Sequence, residues 1–164
     1  MTDPISWEDY FMSKALLASK RSKDPHTQVG ACIVKNQVIL GMGYNGFPRG
    51  LDCELPWKKD DPNELNNKHF YVCHAELNAI SNSHGDIKCS QIYTTLFPCP
   101  PCAQLIIQSG ISEVIYMNDK SHKIEYQASR RLLNLAKVKL TQFNKTNTKV
   151  TIDLGTGEAF IERY

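Results

Sequence analysis

Four residues in the middle of the chain have the types and spacing of a reactive metal site. His74 and Glu76 are separated by one residue, and Cys99 and Cys102 by two. Two cysteines three positions apart can bind one ion from the first turn of a helix, and histidine is a frequent third ligand of zinc. Pro100 suits the first helical position, where its missing N–H costs little. We expect the helix dipole and the metal together to favour the thiolate forms.

Three protein ligands would leave the fourth position of a tetrahedral zinc ion open, which is typical of a catalytic ion. A water molecule at that position would have its pKa lowered to about 7. Glu76 follows the histidine closely without having to bind the metal, so its carboxylate can take a proton from that water and pass it to a substrate nitrogen. The pattern H-x-E…P-C-x-x-C is the signature of zinc-dependent nucleobase deaminases, in which the glutamate is the general acid and base.

Other interpretations of the same residues compete with a catalytic zinc site. Cys73 could complete a closed structural site of three cysteines and one histidine, but adjacent helical residues point about 100° apart and would converge poorly on one ion. We therefore expect Cys73 to be a small packed residue. The pair Cys99 and Cys102 could also be a redox pair or part of a structural zinc knuckle, and a disulfide between them is disfavoured in a reducing compartment.

The hydrophobic spacing around this pattern predicts alternating helices and strands. Helices are predicted over residues 6–20, from about residue 75, from residue 100 to Gly110, and over 128–136, and Ser6 is a suitable N-cap for the first. Strands are predicted over residues 29–34, 37–43, 91–96, 113–116 and 138–142, with a weaker one over 150–154, and residues 51–72 are predicted to be a long loop or lid. This order indicates an α/β fold, a three-layer α/β/α sandwich whose five-stranded mixed sheet carries helices on both faces.

Length and composition favour one ordinary globular domain. We expect a single domain over residues 1–164, with a core over about 7–142 and a C-terminal tail of uncertain structure over 143–164. The chain is 41% hydrophobic and 22% charged, and its net charge of +2 does not favour binding to a polynucleotide. No apolar run is long enough to span a membrane, and six cysteines without a secretion signal indicate an intracellular, cytoplasmic protein.

Three short loops carry side chains that can recognise ligands. Arg21, Ser22 and Lys23 follow the first helix, and Lys120 and His122 follow the strand at 113–116. Either group can bind a phosphate, and the plainer interpretation of both is a set of solvated loop charges.

The third loop, residues 43–50, contains three glycines and one proline, which allow the backbone to approach a ligand closely. Tyr44, Asn45 and Arg49 lie in this loop, and their side chains are of kinds that recognise ligands. A turn without a ligand is the competing interpretation.

Taken together, these motifs resemble the deoxycytidylate (dCMP) deaminases of the cytidine deaminase superfamily. The resemblance extends from about Trp7 to about Gln142. It is carried by five stretches, at residues 21–25, 28–34, 43–46, 73–80 and 97–102. The metal pattern alone leaves the substrate open, whereas the stretches at 21–25 and 43–46 narrow the resemblance to this family.

The resemblance implies a hydrolase acting on cyclic amidines, which converts dCMP to dUMP with release of ammonia and supplies dUMP for thymidylate synthesis. It implies one catalytic zinc per chain on His74, Cys99 and Cys102, and Glu76 as the catalytic residue. It further implies that Asn45 contacts the substrate and that the backbone N–H of Ala75 reaches the pyrimidine O2.

The resemblance also implies regulation. A homohexamer activated by dCTP and inhibited by dTTP is expected, with Mg²⁺ accompanying the triphosphate. The effector would bind near the loop that contains Gly43, Tyr44, Gly46 and Arg49.

Three rival functions stay open at the level of sequence. The nearest is a deaminase of another cytosine compound, such as dCTP, cytidine or a base in RNA, and the near-neutral charge weakens the RNA alternative. The second is a zinc-binding protein without activity, against which Glu76 argues. The third is a non-catalytic, nucleotide-sensing module, which the complete metal pattern disfavours.

Overall fold

The computed structural model describes residues 4–164, so the first three residues of the predicted domain lie outside the described range. Its four α-helices and seven strands follow in the order α1 Trp7–Ser19, β1 Gly30–Lys35, β2 Val38–Tyr44, α2 Ala75–Ser81, β3 Gln91–Leu96, α3 Pro100–Gln108, β4 Glu113–Asn118, α4 Ile124–Leu135, β5 Lys139–Gln142, β6 Thr148–Asp153 and β7 Glu158–Arg163. Two single-turn 3₁₀ helices, Glu64–Asn66 and Lys68–Phe70, lie within the predicted long loop.

Five strands form one mixed sheet in the order β2-β1-β3-β4-β5. β1 pairs antiparallel with both β2 and β3, whereas β3, β4 and β5 run parallel to one another. The parallel strands are connected by α3 and α4, as parallel pairing requires a crossover. The predicted fold class is therefore confirmed.

The helices cover both faces of this sheet. On one face, Phe11, Met12 and Ala15 of α1 pack against Cys32 and Tyr93 of the sheet. The Ser6 hydroxyl caps α1 as predicted, because it accepts a hydrogen bond of 3.0 Å from the Asp9 N–H.

The opposite face is covered by α2, α3 and α4. Ala79, Ile106 and Leu133, one from each helix, belong to the same buried cluster as Ile33 and Ile92 of the sheet. Burial of such side chains stabilises the fold by about 1.5–3 kcal/mol each. α2 and α3, which directly follow the candidate metal ligands His74 and Cys99, are thereby fixed to this face.

Two regions differ from the sequence-based expectation. α4 begins at Ile124, four residues before the predicted start. The sequence did not indicate this first turn because it is largely exposed and lacks the apolar spacing of the second half of the helix. The tail contains a hairpin of β6 and β7, of which only part of β6 was predicted. Both strands are almost wholly exposed, so no buried face gives β7 a recognisable alternation.

None of the helices described within residues 4–164 has the length and apolar character that a membrane span requires.

Candidate active site

The three candidate metal ligands lie together between two helix N-termini. Nδ1 of His74 is 3.2 Å from Sγ of Cys99 and 3.4 Å from Sγ of Cys102. All three ligand atoms lie within 4.8 Å of one another. Zinc bonds of about 2.0–2.3 Å to nitrogen and sulfur place two tetrahedral ligands roughly 3.5 Å apart, so the separations and the donor types fit a zinc ion.

Local sequence accounts for this convergence. His74 is the extended N-cap of α2, and Cys99 is the extended N-cap of α3. Pro100 occupies the first turn of α3, where its fixed φ favours helix initiation. Cys102 then lies three positions after Cys99 on the same side of that turn.

The two thiols differ in acidity because they share a proton. A hydrogen bond with Cys102, and then one with His74, lower the pKa of Cys99 well below its usual range. The same contact with Cys99, followed by burial, raises the pKa of Cys102. The hydrogen bond to Cys99 in turn raises the pKa of His74. The cluster therefore holds a negative charge at Cys99 that would attract a cation.

Cys73 does not belong to this cluster. Its backbone pairs with Gly46 in an isolated β-bridge, and its side chain is half-buried. Neither a disulfide nor a fourth sulfur ligand occurs among the described residues, whose cysteines are all free.

Glu76 lies beside the metal ligands and is 4% exposed. Its Oε2 is 3.5 Å from Sγ of Cys102. Burial, and then the negative charge at Cys99, raise the pKa of the Glu76 carboxyl above its ordinary value. A carboxyl group in this environment can accept a proton and keep it until a leaving group requires it.

A cavity of about 480 Å³ opens at this cluster, a volume within the range of small-molecule sites. Ala75, at the N-terminus of α2, lies in its wall, and its N–H is one of those that a helix leaves without an internal acceptor. Asn45 lines it from the end of β2. The other polar residues of the wall are Asp24, Thr27, Lys59, Lys68, His69, Lys120, Lys123, Glu125 and Tyr126.

Comparison with known proteins decides the family. The sequence profile described as "Cytidine and deoxycytidylate deaminase zinc-binding region" matches residues 5–118. The chain belongs to this family. Human deoxycytidylate deaminase is 50% identical over 155 residues, covering 92% of this chain and 87% of the human one. Probable deoxycytidylate deaminase of Drosophila melanogaster is 48% identical over 161 residues, covering 93% and 79%.

A solved structure supports the same assignment. The dCMP deaminase of cyanophage S-TIM5, in complex with dCMP and dUMP, superposes with a TM-score of 0.70 at 30% identity. The match covers 87% of this chain and 100% of the phage chain.

Three lysines line the deaminase cavity together with the metal ligands. Lys59 comes from the long loop, whereas Lys120 and Lys123 follow β4. Burial, and then the nearby charges of Lys123 and Lys59, lower the pKa of Lys120. The charges of Lys59 and Lys123 therefore repel that of Lys120, and an anion beside Lys120 would relieve that repulsion.

The other predicted phosphate ligands lie elsewhere. Arg21 and Lys23 line a second cavity of about 250 Å³, and Lys23 forms a salt bridge of 2.8 Å with Asp52. Ser22 is buried, and its Oγ accepts a hydrogen bond from the Asp24 N–H. His122 is exposed and is not part of either wall.

The proposed effector loop is divided between these environments. Tyr44, Gly46 and Arg49 line the second cavity, whereas Asn45 faces the first. Gly43 lies beneath α2, where an added Cβ would come within 2.3 Å of the Ala75 carbonyl oxygen. The structure thus gives Gly43 a packing role.

Sequence reasoning did not identify several residues of the cavity wall. Asp24 belongs to the stretch at 21–25 that carried the resemblance, but was not singled out. Lys59 belongs to a charged run in the long loop, and Lys68 lies nine residues further on. The only signal for these residues is that they are charged side chains in loops, and this signal does not specify which of them face the cavity.

Proposed function

We propose that this chain hydrolyses dCMP to dUMP and ammonia and so supplies dUMP for thymidylate synthesis. The observation that carries the proposal is the cluster of His74, Cys99 and Cys102 with Glu76 beside it, at a cavity that Lys59, Lys120 and Lys123 also line. The 50% identity to human deoxycytidylate deaminase and the similarity to a phage structure containing dCMP and dUMP support the same substrate.

Each group of residues at the site has a separate role in the proposed reaction. His74, Cys99 and Cys102 would hold a zinc ion, which supplies a polarised water with its pKa lowered to about 7. Glu76 takes one proton from the water and passes it to ring nitrogen N3, and then takes the proton of the hydroxyl added at C4 and passes it to the leaving amine, which departs as ammonia. General acid–base catalysis of this kind accelerates a reaction by ~10²–10⁴-fold. The free N–H of Ala75 donates to the pyrimidine O2 and orients the ring.

The phosphate of dCMP would occupy the rim formed by Lys59, Lys120 and Lys123. Burial, and then the charges of Lys123 and Lys59, lower the pKa of Lys120, and a dianion there would offset the effect of those two charges. Of the phosphate ligands expected from sequence, Lys120 is the one that we retain at the substrate.

An ammonia-release assay on zinc-loaded protein tests this function. We expect dCMP to react faster than dCTP, deoxycytidine and cytidine, with AMP as the unreactive control. Faster release from dCTP would make that triphosphate the substrate. Absence of release from every cytosine compound would favour the non-catalytic, nucleotide-sensing module.

We also propose that the second cavity binds the effectors dCTP, which activates, and dTTP, which inhibits, with Mg²⁺ bound to the triphosphate. Arg21, Lys23 and Arg49 give this cavity three cations against the single carboxylate of Asp52. The same two chain segments line both cavities. Lys23 and Tyr44 line the second cavity, and the residues that follow them, Asp24 and Asn45, line the first. Effector binding can therefore displace residues of the substrate cavity.

The proposed assembly is a homohexamer, which would cover large apolar side chains such as Leu65, Ile124 and Leu135 that are exposed on the single chain. Free thiols throughout the described residues suit a cytoplasmic protein. Light scattering of the active species tests the assembly, and saturation curves with each triphosphate and Mg²⁺ test regulation. An active monomer, or curves that neither triphosphate changes, would contradict these proposals.

A further inference from the structure

One carboxylate lies among the lysines that line the substrate cavity. Glu125, in the first turn of α4, lines this cavity together with Lys59, Lys120 and Lys123. Burial, and then the charges of Lys123 and Lys59, lower the pKa of Lys120, whereas the charge of Glu125 raises it. Lys120 is therefore within electrostatic reach of the other three groups, and the cationic rim contains one negative charge.

The fold does not use these four charges. Within residues 4–164, none of the four side chains belongs to a salt bridge. The other two lysines of the long loop, by contrast, are both paired, Lys58 with Asp61 and Lys68 with Asp24. The charges at the rim are therefore available to a ligand.

The net charge of the rim equals that of one phosphate monoester with the opposite sign. Three ammonium groups and one carboxylate give a net charge of +2. Asp24 and Lys68 are buried as a pair in the same wall, and their charges cancel. Burial, and then the charges of Lys68 and Lys59, lower the pKa of His69, so that this side chain is neutral at pH 7. Because a phosphate monoester carries close to two negative charges at that pH, the rim balances the charge of dCMP.

We infer that Glu125 is a specificity-determining residue that restricts the substrate cavity to nucleoside monophosphates, because its carboxylate repels the additional charge of a longer phosphate chain. The inference rests on the proposed function, in which the substrate phosphate lies among Lys59, Lys120 and Lys123. A diphosphate carries about one negative charge more than the rim balances, and a triphosphate about two more. Without Glu125 the net charge of the rim would be +3, and a diphosphate would match it.

A structural role for Glu125 makes a different prediction. Glu125 is an acidic residue in the first turn of α4, where a negative charge interacts favourably with the helix dipole. Loss of that interaction would destabilise the start of the helix and would affect every substrate alike. A change in the ratio between a monophosphate and a diphosphate substrate therefore separates the two roles.

Ammonia release from dCMP and from dCDP measures this ratio. Zinc-loaded full-length protein would be assayed near pH 7 without triphosphates, and kcat/KM would be determined for both nucleotides. The parent should prefer dCMP. Glu125→Gln should reduce the ratio of dCMP to dCDP about five- to tenfold, the effect of one unit charge at about 4 Å in water. Glu125 does not line the second cavity, so any effect of dCDP there is common to the parent and the variants.

Three further variants complete the test. Glu125→Asp retains the charge and should keep the parent ratio to within about twofold, whereas Glu125→Lys reverses the charge and should reduce the ratio further. Glu158→Gln, which removes one exposed carboxylate from β7 and so changes the net charge of the protein equally, should keep the ratio.

Two results would overturn the inference alone. One is dCMP turnover by a folded Glu125→Gln or Glu125→Lys variant with the ratio of the parent, and the other is a parent that uses dCDP as well as dCMP. Absence of dCMP turnover in the parent would refute the proposed function, and the inference with it.

Discussion

Nδ1 of His74 lies 3.2 Å from Sγ of Cys99, although the two residues begin different helices and are 25 positions apart. The contact exists only when α2 and α3 are both packed on the same face of the sheet. The metal site is therefore a product of the tertiary fold, and metal binding should in turn stabilise that packing.

The first prediction concerns metal content. The purified protein should contain about one zinc per chain by elemental analysis. Cys99→Ala and Cys102→Ala should lose the metal and part of their thermal stability, because each removes one of three ligands. Cys73→Ala is the matched control and should retain full occupancy, since that side chain lies outside the cluster. Full zinc content in both ligand variants would refute the ligand set.

The second prediction separates proton transfer from metal binding. Glu76→Gln should keep zinc and fold, because the side chain is not among the clustered ligand atoms. Its turnover of dCMP should fall by ~10²–10⁴-fold, the contribution expected of general acid–base catalysis. Zinc analysis and kcat are measured on the same preparation. Activity within a few-fold of the parent would exclude Glu76 as the proton carrier.

Much of the fold could be predicted because its signals are local. The strand at 91–96 has the predicted bounds, and the helix after it begins at Pro100 as predicted. Both depend on short-range features, namely a β-branched run and a proline at the first helical turn. The metal pattern is similarly local, since two cysteines on one turn already define half of the site.

Lys120 of the cationic rim was predicted from sequence, but Lys59 and Lys123 were not, because their placement depends on which side of a loop faces inward. Lys23 and Asp24 are adjacent, yet they line different cavities. Irregular loops have no periodicity from which such an assignment follows. Lys59 belongs to a long loop that packs on the rest of the protein partly through Trp57, whose ring centroid lies 4.1 Å from that of Phe47.

The third prediction concerns acid stability. Burial acts to raise the pKa of Glu113, but the salt bridge with Lys139 and hydrogen bonds from Gln91 and Thr141 outweigh it and keep the pKa below its ordinary value of 4.5. The folded carboxyl thus binds a proton less readily than the unfolded one, so its stabilising effect is complete above that value and is lost as pH falls through the folded pKa. Glu113→Gln should be less stable than the parent by about 1–2 kcal/mol at pH 7.

That deficit should shrink as the pH falls below 4.5 and through the folded pKa, where the parent also loses the charge. Denaturant unfolding of both proteins at several pH values measures it, and protonation of the metal ligands affects both equally. A deficit that stays constant from pH 7 to pH 3 would show that Glu113 does not titrate in this way.

The fourth prediction distinguishes two glycines of the proposed effector loop. At Gly43 an added methyl would come within 2.3 Å of backbone atoms of α2, whereas at Gly46 the nearest atom is 3.9 Å away. Gly43→Ala must push α2, which contains Glu76, off the sheet and should cost about 1–3 kcal/mol or more. Gly46→Ala should be nearly neutral in thermal unfolding. Equal melting temperatures for the two variants would contradict the close packing of α2 on β2.

The last prediction locates the phosphate. Lys59→Ala and Lys120→Ala should each reduce kcat/KM for dCMP about ten- to hundredfold, because a hydrogen bond to a charged group contributes about 1.5–3 kcal/mol. Turnover of deoxycytidine, which has no phosphate, should change little, so the ratio of the two substrates isolates the effect. Lys23→Ala is the matched control, since it also removes a loop lysine, but one that lines the other cavity and pairs with Asp52.

In the absence of triphosphate effectors, Lys23→Ala should retain the preference for dCMP to within about twofold, because its ammonium makes no contribution to the substrate rim. If that variant loses the preference while Lys59→Ala and Lys120→Ala keep it, the phosphate binds beside Arg21, Ser22 and Lys23 instead. If all three variants keep it, neither lysine group binds the substrate phosphate.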